Sequence, residues 1–161
     1  MTRWFEDIEI GADWPLGSHA FTEAEIIAFA TAYDPQYFHI DPEAARHGPF
    51  GGLVASGWHT VSVGQRHMVD ALGAEAERLR AQGREPGVPG PSPGVNAAEF
   101  KAPVRPGDTI TYTLRVTGKR VSNSLPGWGL LTNIIEATNQ RGELVYRAEL
   151  VAFSKLREAA G

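Results

Sequence analysis

From Thr109 to Thr117 the chain alternates without a break, with Ile110, Tyr112, Leu114 and Val116 on one side and Thr109, Thr111, Thr113, Arg115 and Thr117 on the other. Successive side chains of a strand point to opposite faces, so this segment is a strand with one wet face and one face against a core. Pro106-Gly107-Asp108 supplies the turn before it, and Asn139-Gln140-Arg141-Gly142 the turn before a last strand at Leu144 to Leu156. Leu130 to Thr138 is a strand between them, and Gly94 to Val104 and Trp14 to Phe21 bring the expected count to about five.

The first half follows a helical period. Thr22-Glu23-Ala24-Glu25 fits a capping box, and Ile26, Phe29, Ala30 and Tyr33 then form one apolar face expected to be buried. Pro35 ends that helix, because the residue before a proline is pushed out of the α region, and Asp34 therefore sits at a forced turn. Asp41 followed by Pro42 reads as an N-cap with proline at the first helical position. Ser56 offers an N-cap to a longer helix from about Trp58 to Leu72, with Trp58, Val61, Gln65, Met68, Val69 and Leu72 on one side and Gly73 as its stop. Residues 74 to 93, charged and then rich in proline and glycine, read as a long connection. An antiparallel sheet covered on one face by a single long helix is an α+β two-layer solution, since each element must bury its apolar side on the other.

With 161 residues and 42% hydrophobic content the chain is long enough for one domain with a core, and a single domain over residues 1 to 161 is expected. A formal charge of −4 provides no basic field for a nucleic-acid backbone. The absence of cysteine removes disulfides, thiol nucleophiles and thiolate metal sites. Met1 to Gly11 carries Glu6, Asp7 and Glu9 with no apolar run, and no segment has enough consecutive apolar residues to span a bilayer. A soluble, cytoplasmic protein with a small-molecule partner, and no nucleic-acid or membrane partner, is the expectation.

Two segments carry chemistry. Ala32-Tyr33-Asp34-Pro35-Gln36-Tyr37-Phe38-His39-Ile40-Asp41 places an acid five residues ahead of a histidine, just past a helix end. Phe50-Gly51-Gly52-Leu53-Val54-Ala55-Ser56-Gly57-Trp58 follows it. Together they resemble the MaoC-like acyl dehydratases, also called R-specific enoyl-CoA hydratases. The resemblance extends to Trp4-Phe5-Glu6-Asp7-Ile8-Glu9-Ile10-Gly11, to Pro103-Val104-Arg105-Pro106-Gly107-Asp108 and to Ser122-Asn123-Ser124 with Gly127. It departs from the family's usual Asn and Pro at Gln36 and Tyr37, and a serine that many members carry on the central helix is replaced by Gln65.

The resemblance implies a hotdog fold, a curved antiparallel sheet wrapped around a central helix, and pairing into a homodimer or larger homo-oligomer. It implies hydration of an enoyl thioester, in which one group activates water and another protonates the carbon beside the carbonyl. Asp34 and His39 take those roles by the family's pattern, both contacting one water, and the backbone N–H of Gly57 points at the thioester oxygen. Tyr37, Phe50, Gly52, Ser56 and Trp58 are the candidate substrate-binding residues. Coenzyme A enters as part of the substrate, with no separate cofactor and no metal. His39, Asp41, His47 and His59 show no pair at zinc-motif spacing. The alternatives are a hotdog thioesterase, disfavoured because the central helix has no acid before Asp70, and a non-catalytic acyl-CoA binding module, which has no need of two proton-transfer groups.

Overall fold

The computed structural model describes residues 2–157, so Met1 and the last four positions of the expected domain lie outside the described residues. A 3-10 turn at Phe5–Asp7 precedes β1 (Asp13–Ala20), α1 (Glu23–Tyr33), the short α2 (Tyr37–Ile40) and α3 (Pro42–Arg46), and the long α4 (Gly57–Ala81). Four strands complete the order: β2 (Gly94–Phe100), β3 (Thr109–Val121), β4 (Trp128–Thr138) and β5 (Leu144–Lys155). They form one antiparallel sheet in the order β1-β3-β4-β5-β2. The curved five-stranded sheet with its long helix is the expected α+β hotdog arrangement.

The alternation in β3 places Ile110, Tyr112, Leu114 and Val116 in the core, each at most 1% exposed. Tyr112 also seats the central helix: its ring occupies the space a side chain at Gly64 would fill, and its hydroxyl donates to Thr60 O at 2.9 Å. Burial pushes that hydroxyl's pKa up, so it remains a donor. At the other end of β3, buried Asp108 accepts from Arg105 N, Gln140 Nε2 and Arg141 Nη1, which ties the entry turn to the β4–β5 turn.

α4 is longer than the sequence pattern predicts and passes through Gly73 to Ala81, so most of the charged stretch after Leu72 is helix and not connection. Buried Ala76 and Leu79 anchor this extension. Thr2 Oγ1 donates to Leu72 O at 3.1 Å, and Glu75 accepts from both Arg3 and Arg78. The helix stops at Gly83 instead: with φ +69° it lets its N–H bond Arg80 O while Arg84 N bonds Leu79 O, a Schellman closure. The proline-rich connection then runs along β5, pinned by Gly90 N to Phe153 O, Phe153 N to Pro91 O and Lys155 N to Val88 O.

The buried faces of two helices also differ from expectation. On α1, Ile26 and Ala30 are fully buried, but Tyr33 is 76% exposed and packs against Phe29 of its own helix. On α4 the buried residues of the N-terminal half are His59, Thr60 and Gly64; Val61 and Met68 of the expected row are partly buried against the core, whereas Trp58 is 62% and Val69 52% exposed. Helix α4 therefore uses small and polar residues where it meets β3, because close approach to the Tyr112 ring excludes larger side chains.

Candidate active site

Thr22 Oγ1 accepts from Glu25 N and caps α1, and the helix ends where Pro35 requires. Asp34 is its C-cap at φ −152°, with its N–H on Ala30 O at 2.8 Å, and this break turns the carboxylate out of the helix. The next residues begin α2 at Tyr37, which brings His39 back toward Asp34. Asp41 Oδ1 accepts from Glu43 N and Ala44 N as the cap of α3, so that acid is committed to a helix start.

His39 is 6% exposed, and its Nδ1 lies 2.7 Å from Val54 O. A carbonyl only accepts, so Nδ1 carries a proton, and in the neutral ring Nε2 is the acceptor. That Nε2 is 3.4 Å from Asp34 Oδ2. The same oxygen accepts from Ser56 Oγ at 2.7 Å, and Asp34 Oδ1 accepts from Gln36 Nε2 at 2.9 Å. The Gln36 amide, followed by the Ser56 hydroxyl, holds the Asp34 carboxyl below the usual carboxylate range; partial burial opposes this, and His39 adds to it. The pair is thus an ionised acid beside an imidazole of defined tautomer, both edges facing one cleft.

Ser56 has a second bond, accepting from Trp58 N at 3.3 Å as the cap of α4. Gly57 is the first residue of that helix, so its N–H has no acceptor within the helix and favours negative charge. A Cβ at Gly57 would lie 2.6 Å from Phe100 Cε1, which is why the helix start can approach β2 here.

The cleft has a volume of about 420 Å³, and Asp34, His39, Phe50, Ser56, Gly57 and Trp58 all line it. Tyr37 and Gly52 do not. The Tyr37 ring packs against Phe38 and over Gly48, and Gly52, at φ +156°, lies in the turn that leads to Leu53. Phe38, Thr60, Phe100 and Lys101 line the cleft as well and were not among the expected site residues. Phe38 follows from the α2 turn, which a reading of spacing can anticipate; Phe100 ends β2 and Lys101 follows it, both more than 60 positions after His39, and they have no local signal. Ser56, expected to bind substrate, is bonded to the Asp34 carboxylate.

Among the described residues no group of three or more His, Asp or Glu is placed to hold a metal ion, and no helix is long and apolar enough to cross a membrane. Asp70, the first acid on α4, is half-exposed and paired with Arg66 at 2.8 Å.

The chain is similar to several known proteins. The Bacillus subtilis protein YdeM is 29% identical over 93% of this chain and 97% of its own length. The solved structure of a MaoC-like dehydratase from Rhodospirillum rubrum is 33% identical, covers 97% of this chain and 99% of its own, and superposes with a TM-score of 0.78. That of the (R)-hydratase from A. caviae involved in PHA biosynthesis is 25% identical over 94% of this chain and 99% of its own, with a TM-score of 0.59. The sequence model of the MaoC like domain matches residues 15–127, a span that begins in β1 and contains α1, α4, the Asp34–His39 pair and the Gly57 helix start, and the chain accordingly belongs to the MaoC-like domain family.

Proposed function

We propose that the protein is a hydro-lyase that adds water reversibly to a trans-2-enoyl-CoA and gives the (R)-3-hydroxyacyl-CoA. The observation that carries this reading is the Asp34 Oδ2 to His39 Nε2 separation of 3.4 Å, with His39 Nδ1 locked on Val54 O. Both atoms are acceptors when the acid is ionised and the imidazole neutral, so one water can donate a hydrogen to each. The water oxygen bonds to C3 of the enoyl group as one of its hydrogens passes to the pair. A proton returns from the pair to C2, and the enolate oxygen that forms in between is held by the Gly57 N–H. The hydroxyl and the proton arrive from one side, so addition is syn. Coenzyme A is part of the substrate, and no further cofactor enters this scheme.

The reading also includes a homodimer. β2 is bonded to β5 on one edge, and its side chains are exposed along its whole length, with Val95 at 59% and Phe100 at 50%. An apolar strand edge of this kind invites pairing with a second copy.

Incubation with trans-2-enoyl-CoA substrates, coupled to R- or S-specific 3-hydroxyacyl-CoA dehydrogenases, tests the reaction. The R product is expected. An S product means that the pair or the substrate pose is misread, and free thiol without hydration replaces the reading with a thioesterase.

A further inference from the structure

The second large opening in the molecule lies beside the exposed side of α4. It has a volume of about 400 Å³ and is lined by apolar side chains of the helix and sheet, among them Met68, Leu114, Leu131 and Leu150. A groove of this size matches a small-molecule site. Two of its lining residues are polar and buried: Asn133 at 0% and Ser154 at 3% exposure. Asn133 Oδ1 and Ser154 Oγ have no hydrogen-bond partner among the described residues. Such groups are rare in folded proteins because each forfeits its hydration, and they call for an occupant that restores a partner.

Asn133 restricts what that occupant is. Its Nδ2 donates to Leu131 O at 3.3 Å, which leaves Oδ1 as an acceptor in need of a donor. The groove's lining contains no Lys, Arg or His, so nothing there compensates a carboxylate or phosphate. An uncharged donor on an otherwise apolar ligand, which is to say a hydroxyl on an aliphatic chain, satisfies both conditions. Asn133 stands opposite Leu150 on the inner face of the sheet, whereas Ser154 stands opposite Gly129 four residues further along β5, so the two polar atoms mark different depths of the groove. The groove and the catalytic cleft open along the same seam of the fold. Trp58 on α4 and Phe100 on β2 line the cleft, and Gln65 on α4 and Val95 on β2 line the groove, about 10 Å further along the helix.

We propose that the groove receives the acyl chain of the thioester, and that Asn133 selects chains bearing a hydroxyl group beyond the reacting carbons, against both plain alkyl and carboxylated chains. The inference rests on the hydratase reading for the thioester but not for the recognition of the hydroxyl. Asn133 is a specificity residue here and takes no part in proton transfer.

The test uses two readouts. Hydration rates are measured for trans-2-enoyl-CoA chains hydroxylated at successive positions beyond carbon 4, each beside its methyl isostere and its carboxylate counterpart. The saturated, non-reacting forms of the same chains are titrated by calorimetry. At least one hydroxylated chain is expected to exceed its methyl isostere by about tenfold or more in kcat/KM and in affinity, and Asn133→Leu to abolish that ratio. Equal treatment of hydroxyl and methyl chains by the wild-type protein overturns the inference, whether a trapped water or a second copy of the chain fills the groove. So does a ratio that Asn133→Leu leaves intact, or a preference for carboxylates. The wild-type comparison decides even if the variant does not fold. Discrimination in binding with no hydration of any chain retains the groove assignment and removes the hydratase reading; hydration without discrimination does the reverse.

Discussion

Ser56 Oγ donates to the same carboxylate oxygen of Asp34, at 2.7 Å, that faces His39 Nε2 at 3.4 Å. One hydroxyl therefore both orients the acid and caps the helix whose first residue, Gly57, lines the cleft. Removing it affects charge and scaffold together, and the two effects can be measured separately.

Ser56→Ala is expected to raise the Asp34 pKa toward its ordinary value, because one of the two bonds that favour the carboxylate is lost. The acidic limb of the hydration rate then moves to higher pH, and the plateau rate falls by about tenfold. Loss of the cap lowers stability by about 1 kcal/mol. A pH–rate profile taken beside a thermal melt checks both; a melt that shifts while the acidic limb stays in place assigns Ser56 to the helix alone.

Asp34→Asn and His39→Ala each remove one member of the pair, and His39→Ala also removes the buried bond to Val54 O, so each variant is first checked for folding by circular dichroism. Each is expected to lower turnover by a factor of about 10² to 10⁴ with little change in acyl-CoA affinity. Steady-state kinetics and calorimetry on the folded variants check this, and near-normal turnover in either one withdraws the role of that residue.

His59 introduces a pH dependence of stability. It is 7% exposed, stacks on Phe29 at 4.5 Å and has a buried Nδ1 without a hydrogen-bond partner among the described residues. Burial lowers its pKa from the ordinary 6.5, against a smaller opposing effect of Glu25. The folded state thus favours neutral imidazole, and the unfolded chain takes up the proton first as pH falls. The contribution of His59 is complete above about pH 6.5 and is lost progressively below it. Melting temperatures between pH 7.5 and 5.5 are expected to fall for the wild type and to fall less for His59→Phe.

Gly64→Ala tests the seating of α4 on the sheet. An added Cβ would stand 2.8 Å from Tyr112 Cε1, and the ring is held in place by its bond to Thr60 O. Destabilisation of about 1 to 3 kcal/mol is expected from chemical denaturation. An unchanged midpoint means that the ring moves aside freely.

The exposed β2 edge predicts association. Light scattering at micromolar concentration is expected to report at least a dimer, and Val95→Lys with Phe100→Glu to shift it toward monomer. A monomeric wild-type protein contradicts the homodimer.

The strands of the second half were legible because side-chain alternation along a strand is a local property: β3, β4 and β5 begin within about two residues of where the pattern places them. The Asp34 turn was legible for the same reason, since Pro35 breaks the helix whatever surrounds it. The Asp34–His39 pairing followed from family resemblance and not from spacing alone. The ends and faces of α4 were not legible. Gly73 has the residue type of a helix stop but Gly83 has the geometry, and the choice depends on Ala76, Leu79 and the contacts of Thr2 and Arg3 from far along the chain. The apolar row from Trp58 to Leu72 reads as one buried face, yet the approach of the Tyr112 ring turns small and polar residues inward: Val61 and Met68 still pack against the core, Trp58 opens on the cleft, and Gln65, Met68, Val69 and Leu72 line a groove. Phe100, Lys101, Asn133 and the commitment of Ser56 to Asp34 are likewise products of chain crossing. Local periodicity and backbone stereochemistry thus determined which elements form and where the acid turns outward; which faces meet, and what the cleft and groove contain, depended on packing between residues tens of positions apart.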